Sequence, residues 1–351
     1  MIPVDRERAL GARKILVIGV NWVGDMVLSL PAMRGLRRLF PDAHIGFLAR
    51  AYLGDLLRDV ADVDEVIPYQ PRRGVYRWVY ELRMVGLLRR RGFDMALILP
   101  RSFRSALAAY LAGIPTRIGY VDEGRGFLLT HGIPRTDALL QVHRTQYYLH
   151  IIECMGGAPD GDPPLIEVLP EGRRWASGFV HSCGMENSHL LVGFNPGATY
   201  GSAKCWDPHR FSELGTRLCR DYGACILIFG DQGERELATT IAQGIDGKAV
   251  NLAGSTTLPQ LAALMETCDV VVTNDTGPMH ISAAVKTPVV AIFGSTDPVT
   301  TGPCGNGHII VRKKVSCSPC LKRVCPMDHQ CMDLISTDDV QEALVKIIQG
   351  N

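Results

Sequence analysis

No run in the 351-residue chain approaches the ~20 consecutive apolar residues that a membrane-spanning helix requires. The opening segment, Met1 to Arg13, is charged and has no apolar core of the kind a secretory signal carries. A cytoplasmic protein is expected, and eleven Cys in such a chain read as reduced thiols or metal ligands before disulfides. The dinucleotide fingerprint G-x-G-x-x-G is absent. Gly19 and Gly24 have the spacing of a phosphate-cradling P-loop, but Asp25 and Met26 stand where that loop carries Lys and Ser or Thr. A carboxylate there repels the phosphate that Lys would attract, so neither a P-loop nucleotidase nor a dinucleotide enzyme is expected. Short-period repeats and low-complexity tracts are missing too.

What is present is a globular composition with 46% hydrophobic residues, in a length that favours about two domains. The net charge of +1 conceals an asymmetry. Residues 1–150 carry 22 Lys+Arg against 14 Asp+Glu, a net of +8, and residues 151–351 carry 15 against 22, a net of −7. Halves of opposite sign imply different partners, and the basic half suits an anionic one. Arg34, Arg37, Arg38, Arg101, Arg104 and Arg125 are the candidates for that contact, although any single arginine is as readily explained by a solvated helix face.

Apolar strand-like runs recur at Ile15–Gly19, His44–Leu48, Glu65–Pro68 and Met95–Leu99, interleaved with helix-period segments such as Pro31–Phe40 and Tyr76–Arg90. The pattern restarts after a Gly- and Pro-rich loop at 156–164 and a helical stretch near Glu171–Cys183. Strands at Leu190–Phe194, Cys225–Phe229, Val270–Thr273 and Val289–Phe293 then alternate with helices near Pro208–Asp221, Glu234–Gln243 and Leu258–Thr267. The alternation predicts an α/β protein with two doubly wound parallel sheets. The expected division is 1–175, 176–336 and a last helix within 337–351 that could pack on either half.

Four segments carry chemistry. Asp25 follows the first strand, at the sheet edge where open α/β folds bind ligands, and can serve as a general base or merely cap a helix. The turn from Asn195 to Trp206 is rich in Gly and hydroxyls, with Lys204 as a point charge suited to phosphate or simply solvated. In Phe229-Gly230-Asp231-Gln232-Gly233-Glu234, a carboxylate could accept hydrogen bonds from ribose or sit in a first helical turn that favours acids. Asn274-Asp275-Thr276-Gly277-Pro278-Met279-His280 joins a strand to a helix start whose free N–H groups favour an anion. The competing reading is an ordinary turn with Thr276 as N-cap and Pro278 early in the helix.

In this order, Gly24-Asp25, Lys204-x-Trp206, Gly230 with Glu234, and Asp275-Thr276-Gly277-x-Met279-His280 resemble the bacterial lipopolysaccharide heptosyltransferases of glycosyltransferase family 9. Trp22-Val23, Asn195-Pro196-Gly197-Ala198 and Cys317-Ser318-Pro319-Cys320 add to the resemblance, which spans nearly the whole chain beyond its charged leader. It implies a GT-B architecture and inverting transfer of L-glycero-D-manno-heptose from ADP-heptose to heptose I of the anionic Kdo–lipid A core. The enzyme would work at the inner face of the cytoplasmic membrane, with no cofactor, no catalytic metal and no nucleic-acid partner. By motif position Asp25 is similar to the family's catalytic base, Lys204 to its phosphate contact and Glu234 to its ribose contact. Asp275, Thr276, Gly277, Met279 and His280 match its donor turn, and Arg101, Arg104 and Arg125 are assigned to the acceptor side. Two rivals are a nucleotide-sugar epimerase of the same architecture, which needs no anionic acceptor surface, and a two-domain solute-binding protein.

Cys317, Cys320, Cys325 and Cys331, with His329 nearby, have the thiolate number of a structural Zn2+ site, but not the paired C-x-x-C knuckles of the firm patterns.

Overall fold

A computed structural model describes residues 11–350 apart from residues 59, 72, 73, 75 and 187, so most of the charged leader lies outside the described residues. The chain forms two compact units, 1–164 and 165–351. The division falls ahead of the expected 175/176 because the helix Pro170–Ser182 packs within the second unit. There Arg173 forks onto Glu266 at 2.7 and 2.9 Å, and a Cβ at Gly172 would lie 3.7 Å from Ala263.

The first unit is one sheet of six parallel strands in the order β3-β2-β1-β4-β5-β6. Its strands are β1 (Lys14–Ile18), β2 (His44–Arg50), β3 (Glu65–Tyr69), β4 (Met95–Ile98), β5 (Thr116–Val121) and β6 (His131–Pro134). The second unit repeats the plan as β12-β11-β10-β7-β8-β9. Its strands are β7 (Leu190–Asn195), β8 (Ala224–Ile228), β9 (Ala249–Asn251), β10 (Val270–Asn274), β11 (Val289–Phe293) and β12 (Ile309–Arg312). The central strands β4, β7, β8, β10 and β11 are buried along their whole length, as parallel strands covered by helices on both faces must be. In each sheet the order reverses between the first and fourth strands of the unit, which opens a ligand-binding crevice at their C-terminal ends. The segments after β1 and β4 meet at this point in the first unit, and those after β7 and β10 meet in the second.

The first long helix runs Val23–Leu39, not from Pro31 onward as the sequence suggested. Pro31 sits inside it and removes one helical hydrogen bond, but the continuous burial of Met26 to Met33 holds the helix together across that gap. The helix Arg144–Cys154 lies alongside it so closely that a Cβ at Gly35 would come within 3.0 Å of Ile152. In the second unit the final helix, Thr337–Gly350, buries Val340, Ala343, Leu344 and Ile347 in the same core as Leu214 and Leu218.

Candidate functional site

Each unit presents chemistry at its own crevice. In the first, Gly19 ends β1 because nothing larger fits: a Cβ there would lie 2.2 Å from the Phe47 ring. The turn is pinned by Arg50 at the end of β2, which donates to Asn21 at 2.9 Å, and by the Tyr52 hydroxyl in the helix that follows, Ala51–Leu57, which donates to the Asn21 carbonyl at 2.7 Å. The helix starting at Val23 is capped by Trp22, which offers no side-chain hydrogen bond. Asp25 therefore lies inside the first turn rather than at the N-cap. The turn suits a carboxylate electrostatically. Its Oδ1 accepts a hydrogen bond at 3.1 Å from the hydroxyl of Tyr148, a buried side chain on the neighbouring helix. Burial first, and the Asp25 carboxylate second, push the Tyr148 phenol well above its ordinary pKa, so it remains a donor. Sequence reasoning missed Tyr148, and no local pattern marks it.

The arginine candidates separate on inspection. Arg34 and Arg38 both reach Asp160, at 2.8 and 2.7 Å, and Arg37 reaches Asp64 at 2.5 Å, so these three tie the Val23–Leu39 helix to its own unit. Arg125, expected on the acceptor side, is not at a surface at all. It is completely buried, donating to the Tyr120 carbonyl at 2.9 Å, the Ser102 carbonyl at 3.1 Å and the Pro100 carbonyl. The guanidinium is a strut that ends the β4 and β5 segments, since several backbone acceptors converge where one fork can satisfy them. Replacing Arg125 by Met is expected to cost about 1–3 kcal/mol for each acceptor left without a donor. Urea denaturation checks this, and an unchanged midpoint would contradict it. Arg104 is paired with Glu81 and Tyr69, whose phenol is pushed up to about 12 by burial and by the Glu81 carboxylate. Arg101 is the most open of the six apart from Arg38, with Asp122 only at 3.8 Å.

The second unit holds a tighter cluster. At the turn after β7, a Cβ on Gly197 would overlap the Glu234 carboxylate and one on Gly201, at φ +152, would meet the Arg323 carbonyl at 2.2 Å. Only glycine permits both approaches. The turn delivers Lys204 to Asp275: Nζ lies 2.6 Å from Oδ2 and 3.3 Å from the backbone carbonyl, over the Tyr200 ring at 4.9 Å. The side chains are 13% and 5% exposed, and the Thr296 hydroxyl donates to the same Oδ2 at 2.6 Å. Asn274 fastens the two strand ends together, donating to the Pro196 carbonyl at 2.6 Å and accepting from the Trp206 N–H at 3.1 Å.

After β10, Thr276 is the N-cap of the helix Gly277–Ala284, with Pro278 near its start, as the plain turn reading required. Its side chain makes no capping hydrogen bond, so the hydroxyl is not consumed by the cap. His280 is buried, and Met279 is a core residue packed with Val289, Ala291 and Phe293. That corrects the assignment of Met279 to the ligand side: its place in the motif reflects packing beneath the turn. Glu234 forms a reciprocal capping box with Asp231, accepting from the Asp231 N–H at 2.9 Å. Burial raises its pKa, opposed by that hydrogen bond.

The sequence profile of Glycosyltransferase family 9 (heptosyltransferase) matches residues 82–330, which is more than half the chain. Lipopolysaccharide heptosyltransferase 2 of Salmonella typhimurium is 34% identical over 308 residues, covering 85% of this chain and 88% of that protein. The chain belongs to glycosyltransferase family 9.

Within the family, lipopolysaccharide heptosyltransferase 3 of Escherichia coli K12 is more distant, at 25% identity over 294 residues, 81% of this chain and 83% of that protein. Among solved structures, the E. coli ADP-heptose LPS heptosyltransferase II matches with a TM-score of 0.83 at 28% identity, covering 96% of this chain and 99% of that one. The protein is thus a glycosyltransferase of GT-B architecture, and the family profile takes in Lys204, Glu234 and Asp275 while Asp25 precedes its first matched residue. The Cys-rich loop lies inside the match as well up to Cys325, and Cys331 follows the last matched residue. Cys317, Cys320, Cys325 and Cys331 line a cavity of about 120 Å³ with His329, and burial followed by the neighbouring thiols raises the Cys331 pKa. Among the described residues no group of three or more His, Cys, Asp or Glu side chains is arranged to hold a metal ion. The loop braces the turn after β7: Ala203 N–H donates to the Arg323 carbonyl at 3.0 Å, and the Tyr200 hydroxyl to the Leu321 carbonyl at 3.0 Å.

Proposed function

We propose that the protein moves L-glycero-D-manno-heptose from ADP-heptose onto heptose I of the Kdo–lipid A inner core, with inversion at the anomeric carbon. The observation that carries the reading is the Lys204–Asp275 pair at the crevice of the second sheet, beside a helix N-terminus. An ammonium and a set of N–H groups that converge there suit a diphosphate leaving group, whose charge grows as the glycosidic bond breaks. In this scheme Asp275 and Thr296 position Lys204, the Thr276 hydroxyl and Gly277 N–H meet phosphate oxygens, and Glu234 accepts from ribose. His280 supports the turn from below.

In the first unit Asp25 would take the proton from the acceptor hydroxyl as it attacks, with the Tyr148 hydroxyl fixing the carboxylate's orientation. Arg101 supplies positive charge for the anionic core, and Arg104 shares its charge with Glu81. The enzyme would act peripherally at the cytoplasmic face of the inner membrane. No described helix is long and apolar enough to cross a membrane.

Donor identity tests the reading. Titration calorimetry should show ADP and ADP-heptose binding, and UDP-sugars binding at least ~10-fold more weakly, a difference of about 1.4 kcal/mol. Tighter binding of a UDP-sugar would move the assignment to an epimerase-like activity.

A further inference from the structure

The described part of the first unit carries an apolar and cationic face that the proposed chemistry does not use. The helix Tyr76–Arg91 anchors itself to the sheet through Met84 and Leu88 and turns Trp78, Val79 and Leu82 outward, with Trp78 66% and Leu82 64% exposed. Arg83, Arg89 and Arg90 are exposed on the same helix. The adjacent helix, Phe103–Leu111, is zipped to it at both ends: Arg104 pairs with Glu81, and Arg89 donates to the Leu111 carbonyl at 2.6 Å. The second helix begins at a half-exposed Phe103, whose ring contacts Phe127 at 6.0 Å, and Phe127 is 73% exposed. Glu81 is the only acid on either helix, and Arg104 neutralises it.

We propose that this face docks on an anionic bilayer, with Trp78, Leu82 and Phe127 entering the interfacial layer and Arg83 and Arg90 meeting lipid phosphates. Large apolar side chains in line with an excess of cations have the composition of an interfacial surface, even with the exposed Glu123, which accepts from the Phe103 N–H at 3.3 Å, at its edge, and negative lipid headgroups complete it electrostatically. A second copy of the chain fits less well. A two-fold interface through this face would set the arginines of one copy against those of the other. The proposal deepens the reading of a lipid-linked acceptor and rests on it for the choice of a bilayer over another anionic partner.

Flotation of the full-length protein with phosphatidylglycerol-containing vesicles and with pure phosphatidylcholine vesicles tests it. Binding should be confined to the anionic vesicles and weaken with salt. The pair Trp78→Ser and Leu82→Asp, and separately Arg83→Glu with Arg90→Glu, should each lower it at least ~10-fold, with unfolding midpoints unchanged as befits exposed positions. Heptose transfer to a deacylated, water-soluble core should be the same in all variants, so that loss of docking and loss of the transferase reading are told apart. Wild-type protein that extends the soluble core but ignores anionic vesicles would overturn the docking face and leave the transferase reading standing. Sedimentation showing a dimer that Leu82→Asp dissociates would overturn it in favour of a self-interface.

Discussion

Asp25→Asn is expected to fold normally, to bind ADP with unchanged affinity and to turn over roughly 100-fold or more slowly, the scale of losing a positioned general base. The substitution keeps the shape of the side chain, and an amide oxygen can still accept from the Tyr148 hydroxyl, so the packing between the two helices should survive. What the amide cannot do is take a proton. The competing account is that Asp25 is an ordinary first-turn acid favoured by the helix dipole, a contribution of about 0.3–1 kcal/mol to stability that has no bearing on rate. The two accounts differ in what they move, kcat in one and Tm in the other. Normal turnover with a lowered Tm would reduce Asp25 to a structural acid. Tyr148→Phe separates orientation from proton transfer: it should lower kcat by less than Asp25→Asn and leave the KM for donor in place.

Lys204→Ala should weaken ADP and ADP-heptose binding by roughly 10–100-fold, in the range set by the loss of one charge-assisted hydrogen bond of about 1.5–3 kcal/mol. The reason lies in its partner. With the ammonium gone, Asp275 remains as a nearly buried carboxylate held only by Thr296 among its described side-chain contacts, and it would face the donor's phosphates with its charge uncompensated. Asp275→Asn in the Lys204→Ala background should therefore recover part of the affinity, a reversal that a merely structural ion pair would not give. Calorimetry with unchanged ADP affinity in Lys204→Ala would put the donor elsewhere.

Much of the scaffold is legible in the sequence because central parallel strands are buried on both faces. Runs such as Val270–Asn274 and Val289–Phe293 have no polar face to disguise them. The outer strands β5, β6, β9 and β12 escape notice for the opposite reason: Thr116–Val121 carries Arg and Gly, and Ala249–Asn251 is three half-buried residues. The candidate positions are legible for a related reason. Ligand chemistry gathers at strand ends, so Asp25, Lys204 and Asp275 could be placed from the strands before them.

Their partners could not. Tyr148 is 123 residues from Asp25, and Lys204 is 71 from Asp275, and such pairings are set by how helices and turns converge. The arginines show the limit of a summed charge. The net of +8 states the excess of cations over anions but not which cations already have a partner, and Arg34, Arg37, Arg38 and Arg125 do. Met279 was drawn into the site by its neighbours in the motif, whereas packing assigns it to the core.

The central claim, heptose transfer to a heptose-bearing core, is tested most directly by product analysis with two acceptors. Given ADP-heptose and a Kdo–lipid A core carrying its first heptose, with chelator present, the protein should release ADP and extend the core by one heptose. The Lys204 ammonium and the Thr276/Gly277 turn would carry the leaving-group charge without added divalent metal. With a core lacking that first heptose, release should fall to background, because the nucleophilic hydroxyl that Asp25 would activate is absent. Equal transfer to both cores would contradict the assignment of heptose I as acceptor, and ADP release with no sugar transferred to either would contradict the proposed function itself.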